Sequence, residues 1–238
     1  MKRSHLETKE HTIQRTWTVE DIPVLQASVS LPEPQLTKDA CTRRIRRYYQ
    51  LQGRFFLRYC ETQLYPYAAE AYHSALAVSG ALPLFQAQMT YHVTWNSGGV
   101  WSLYTQLRET ALPGQAHLRR WGDTWDLGSG YLLPLSAFFP PRHPWKRHLL
   151  LWASEEIERQ EAAGTARYHD HWRRGLRKHF NPRNYYLTEA GLVFFYPMYA
   201  IAPAEEHIPA FCLPPGAGGL LLPGKDTDGA PPSANLSS

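Results

Sequence analysis

The chain has 238 residues, 43% hydrophobic and 13% aromatic, with a formal net charge of +4. That is enough apolar material for a real core in one large or two small domains, and too mild a basic balance for a dedicated nucleic-acid binder. Three cysteines, Cys41, Cys60 and Cys212, show no CxxC or CxxH spacing, which argues against a disulfide framework and a structural zinc site; they read as small buried hydrophobes.

In chain order, residues 1–20 are polar and read as irregular or as an edge strand. No run reaches the length of a membrane span, and the N-terminus has no apolar signal region. The chain as it stands is expected in the cytoplasm, and outside it if the start is misassigned or residues have been removed. Residues 24–31 alternate as a short strand that Pro32 and Pro34 are expected to stop. Thr37 or Asp39 is the expected N-cap of a long helical region over residues 40–79, which Pro66 kinks or breaks. At about 100° per residue, Cys41, Ile45, Tyr48, Phe55, Phe56 and Tyr59 share an inward face, with Arg43, Arg47, Arg54 and Arg58 opposite.

Residues 84–94 and 100–109 form a hairpin around Asn96-Ser97-Gly98-Gly99. Residues 121–135 repeat the pattern around Gly128-Ser129-Gly130, where Asp126 can accept hydrogen bonds from turn N–H groups and Gly130 permits positive φ. A proline-marked loop leads to a helix over residues 146–163 and a second over residues 165–179. Tyr185-Tyr186-Leu187-Thr188, Glu189-Ala190-Gly191 and Leu192-Val193-Phe194-Phe195-Tyr196 are strand, turn and strand. Beyond Pro214 the Gly/Pro/Ser-rich residues 215–238 read as a disordered tail. The class is therefore α+β, with a mostly antiparallel sheet built from hairpins, a long N-terminal helix and a helix pair in the C-terminal half.

The last third also resembles a known family. Tyr185 to Thr188, Gly191-Leu192, Phe194 to Tyr196 and Tyr199 to Pro203 fit the pattern of the RsiV-like/PdaC-like C-terminal domain. That domain is the extracytoplasmic lysozyme-receptor module of anti-sigma factors and the non-catalytic part of peptidoglycan deacetylases. Upstream, Trp125-Asp126-Leu127, Gly130, Leu135 and Phe138-Phe139 extend the likeness. It implies one module over residues 21–214, divisible at 112/113, that binds an extracellular protein or a cell-wall component. The sequence departs from the family in two loops. A Gly-Gly-Ala-His-Gly loop is here Gly114-Gln115-Ala116-His117-Leu118, and Tyr-Ala-Ala-Gly is here Ala204-Glu205-Glu206-His207. The resemblance therefore implies Gln115, His117, Tyr199 and Glu205 as binding positions. His117 is either a ligand contact or a ring that pins its loop to a backbone carbonyl.

His169 and His171 fall on the expected helix, where i and i+2 diverge, so no metal pair is expected. Glu155, Glu156, Glu158 and Glu161 read as a solvated face with Arg159. GxSxG, HExxH, P-loop and GxGxxG patterns are absent, so neither catalysis nor a cofactor is expected. The alternative function is a cytoplasmic binder of nucleic acid or an acidic partner through the Arg43, Arg47, Arg54 and Arg58 face.

Overall fold

The computed structural model describes residues 6–35, 40–78, 80–112 and 115–224. A six-stranded sheet runs in sequence order: β1 (Thr8–Val19), β2 (Ile22–Pro34), β3 (Phe85–Ser97), β4 (Val100–Leu112), β5 (Gln115–Asp126) and β6 (Tyr131–Leu132). Every pairing is antiparallel except β2–β3, whose parallel register follows from the long helical excursion between them. A second, antiparallel sheet joins β7 (Tyr185–Thr188), β8 (Gly191–Phe195) and β9 (Ala210–Leu213). The α+β class and the dominance of hairpins are as expected. Gly98 and Gly99, at φ 62 and 77, supply the two left-handed residues of the β3–β4 turn.

The strand over residues 22–34 does not stop at its prolines. β3 covers β2 only from Leu25 to Val29, so beyond that β2 has one open edge, and a missing proline N–H costs no ladder bond there. The expected caps Thr37 and Asp39 lie outside the described residues.

Helix α1 (Ala40–Tyr59) continues through a π-helical turn (Cys60–Leu64) into α2 (Tyr65–Ala77). Proline at 66 cannot donate to the carbonyl four residues back. The chain absorbs this by widening one turn, with Tyr65 N–H bonding to the Cys60 carbonyl, and the helix is not broken. The inward face is rotated from the expected one. It runs through Ile45, Tyr49, Gly53, Phe56 and Cys60, and Phe55 is 66% exposed. Gly53 is the reason: a Cβ there would lie 2.7 Å from Leu31 Cδ1, so this bare position seats the helix on β2.

Opposite faces of β4 and β5 serve different neighbours. Trp101, Leu103 and Trp125 pack with Ile45 and Tyr49 of α1. On the other face the free edge of β7 abuts the sheet: Leu187 N–H donates to Ser102 Oγ at 2.9 Å, and Ser102 Oγ lies 2.7 Å from Thr124 Oγ1. Helices α3 (Trp145–Ala162) and α4 (Trp172–His179) close a second core with Leu187, Leu192, Phe194, Phe211 and Leu213. The second helix is shorter than expected. Residues 165–171 instead dock on the strand-free segment after β8, with His169 N–H bonded to the Ile201 carbonyl and Arg167 N–H to Glu206 Oε1. Residues 215–224 are not a loose tail: Leu220 and Leu222 are buried in the second core, and Leu221 N–H bonds to the Phe138 carbonyl. The β4–β5 hairpin spans the 112/113 boundary, and one sheet runs across it.

Asp123 is the main charged group inside. It is 3% exposed, and its carboxylate accepts hydrogen bonds from Tyr48 Oη (2.9 Å) and Tyr49 Oη (3.2 Å), while Trp125 Nε1 donates to Tyr49 Oη. Burial pushes the Asp123 carboxyl from its ordinary 3.8 up to about 6, against the lowering effect of those tyrosine hydroxyls. Between pH 4 and 6 the folded chain therefore holds a proton that the unfolded chain releases. Stability from this group is full below pH 4, falls as pH rises through 6, and is absent above, a difference on the order of 3 kcal/mol. Urea midpoints at pH 4.5 and pH 8 check this. Asp123→Asn is expected to flatten the dependence and to raise the pH 8 midpoint; an unaltered dependence would show that Asp123 does not titrate in this range.

Candidate functional site

The ends of β3, β4 and β5 remote from the glycine turn meet α2 and the segment after β8 around an open cleft of about 850 Å³. Three of the four expected binding residues, His117, Tyr199 and Glu205, line it together although they come from separate parts of the chain. Gln115, the fourth, is the first residue of β5, two positions from His117.

His117 is not in a loop. Residues 115–126 form a strand, and His117 sits directly across from Glu109 on β4. Among the described residues its ring makes no hydrogen bond to a backbone carbonyl. It is exposed and stacks on Tyr199, with ring centroids 6.3 Å apart and an interplanar angle of 15°. Tyr199 is 52% exposed at φ 67, and His207, also on the cleft wall, is at φ 55. Non-glycine residues held there cost about 1–3 kcal/mol each, and such strain concentrates where a side chain must be presented in a fixed direction. The segment is anchored from below by Leu118 N–H, which donates to Met198 Sδ at 3.3 Å.

Glu109 supplies the wall's ordered charge. It accepts from Arg119 and from Tyr59 Oη (3.1 Å). Burial raises the Tyr59 hydroxyl, and the nearby Glu109 carboxylate raises it further. The same two causes push the neighbouring Cys60 thiol up to about 12, so it stays protonated and poorly nucleophilic. Glu205 and His207 are exposed on the opposite wall. The arrangement offers stacked rings, carboxylate acceptors and an imidazole to a ligand from solvent. Sequence reasoning missed Glu109 and His207; the signal for Glu109 is its position across from His117, which requires the β4–β5 pairing to be known.

The other sequence candidates lie elsewhere. Arg43, Arg47, Arg54 and Arg58 share the outer face of α1, all exposed. His169 and His171 stand in the turn before α4 with rings 6.3 Å apart, off the helix that would have separated them. Among the described residues no group of three or more His, Cys, Asp or Glu side chains is placed to hold a metal ion. Glu156 pairs with Arg159 and Glu158 with Arg173 on the solvent side of α3. Among the described residues no helix is long and apolar enough to cross a membrane.

Fold and cleft define an α+β module of hairpin-built sheets that presents a strained aromatic segment to solvent. Residues 136–214 match the family described as a protein of unknown function, DUF3298. Two solved structures share the fold. A DUF3298 family member from Bacteroides fragilis is 16% identical with a TM-score of 0.62, covering 89% of this chain and 91% of that one. A DUF3298 family protein from Pseudomonas aeruginosa is 12% identical with a TM-score of 0.50 over the same shares. No curated protein matches the sequence. The Met198–His207 wall of the cleft lies within the matched stretch, whereas Glu109 and His117 lie upstream of it.

Proposed function

We propose that the chain is a non-enzymatic binding module of the bacterial envelope-sensing type, and that its ligand, an extracellular protein or a cell-wall glycan, seats in the His117–Tyr199 cleft. The observation that carries this reading is Tyr199 itself: half exposed at positive φ and stacked on His117 over an open cleft. An apolar core gains nothing from such a residue, whereas a ligand surface does. Flat rings flanked by carboxylates suit the faces and hydroxyls of sugar rings, or the side chains of a docked protein loop. The RsiV/PdaC-like resemblance supports the ligand class.

The test uses soluble muropeptides and a C-type lysozyme as probes for the full chain. One of the two is expected to bind, and Tyr199→Ala and His117→Ala are each expected to weaken it about 30-fold, the loss typical of an interfacial hot spot. Melting temperatures should hold, because both side chains are exposed. Failure of both probes, or equal binding by the variants, would reject this reading; turnover of the muropeptide would replace it with an enzymatic one.

A further inference from the structure

A second cavity, of about 770 Å³, opens between α3 and α4 and shares no lining residue with the His117–Tyr199 cleft. Its floor is apolar, with Leu176 buried and Leu151 left 51% exposed. Its rim is cationic: Lys146 and Arg147 from α3 and Arg173 and Arg177 from α4, all four exposed, and among the described residues no acidic side chain lines the cavity.

The cations gather there against local cost. Lys146 and Arg147 occupy the first turn of α3, the end of a helix that disfavours positive charge, with no acidic residue in that turn and no side-chain cap. Arg173 is engaged by Glu158 at 2.7 Å and lies over the Trp172 ring; Lys146 lies over the Phe180 ring. Arg147 and Arg177 have no ion-pair partner among the described residues. The exposed apolar floor is poorly served by water, and a neutral ligand would leave Arg147 and Arg177 without a counter-charge. A molecule with an apolar body and an anionic head satisfies both surfaces at once, and the cavity lies within the size range of small-ligand sites.

We propose that this pocket binds an amphiphilic anion, a single acyl or aryl body carrying a phosphate, sulfate or carboxylate head that Arg147 and Arg177 grip while the body lies on Leu151 and Leu176. The test is titration calorimetry of the full chain with dodecyl phosphate below its micellar concentration. One molecule is expected to bind per chain, and the Arg147→Glu/Arg177→Glu double variant to bind at least about tenfold more weakly. Leu151→Asp should weaken binding through the floor instead. Tyr199→Ala should leave it unchanged, which separates this site from the cleft. Circular dichroism and melting temperature of each variant confirm folding. Vesicles of phosphatidylcholine with phosphatidylglycerol distinguish the source of the head: retention that the double variant loses assigns it to a lipid in a bilayer, and its absence to a free molecule. Equal binding by the double variant, by uncharged dodecyl maltoside, or by inorganic phosphate alone would overturn the proposal.

Discussion

Gly122→Ala is expected to lower the melting temperature by about 8–16 °C, the equivalent of roughly 4 kcal/mol in a chain of this length. A Cβ at this position would lie 1.7 Å from the carbonyl oxygen of Tyr185. Ordinary overpacking costs about 1–3 kcal/mol because side chains can rotate away. Here the obstacle is backbone on both sides, so either β5 or the edge of β7 must move. Movement of β7 would also draw Leu187 N–H away from Ser102 Oγ, leaving a buried donor unpaired at a cost of about 1–3 kcal/mol. The gain from restricting the unfolded chain, about 0.4–1 kcal/mol for Gly to Ala, is too small to compensate. Thermal melts by circular dichroism decide the matter: a value within about 2 °C of the parent would show that the two sheets do not approach each other at Gly122.

That contact illustrates what a single sequence conveys here. The Asn96–Gly99 and Glu189–Gly191 turns and the helix over residues 146–163 are local patterns, and they are legible. Asp126 is legible too: its carboxylate accepts from the N–H groups of Gly128 (3.0 Å) and Ser129 (3.2 Å), and Gly130 stands at φ 70. Features that depend on a partner element are not. Nothing local distinguishes Gly53 or Gly122 from a dispensable glycine, since each is fixed by a neighbour far along the chain. The inward face of α1 differs from the expected one for that reason, because periodicity gives the width of an apolar stripe but not the line along which β2 touches it. Residues 115–120 and 215–224 are similar. The first is too polar to read as strand, and is held as one by pairing to β4; the second is rich in glycine and proline, and is held by Leu220 and Leu222.

The candidate site divides the same way. His117, Tyr199 and Glu205 were found through family-like loops, and the fold brings them into one cleft. Their chemistry departs from expectation where it depends on geometry: His117 is an exposed strand residue stacked on a ring. Only the packing of α4 beside α3 joins Arg173 and Arg177 to Lys146 and Arg147 around an apolar floor.

Gly191→Val is the second large effect expected, and it tests a different joint. Gly191 begins β8 at φ 145, a conformation that residues with a side chain rarely adopt, and its Cβ would lie 2.0 Å from the Leu213 carbonyl oxygen of β9. Valine adds the stiffness of a branched Cβ at a point where neither strand can yield separately, because Leu192 pairs with Leu213 and Leu187 together. Displacing β9 also disturbs the bond from Trp152 Nε1 to the Cys212 carbonyl (3.0 Å), through which α3 holds the sheet. Backbone strain of about 1–3 kcal/mol and a clash of similar or greater size are expected to add, giving a loss of about 4 kcal/mol or more. The loss should appear first in the second core, where Phe194 and Phe211 pack against each other 5.6 Å apart. Amide exchange reads this directly: protection should collapse for residues 185–213 while β1–β5 keep theirs. Uniform loss across both sheets would mean that the two cores unfold as one unit, and unaltered protection would mean that β9 does not close on the turn at Gly191.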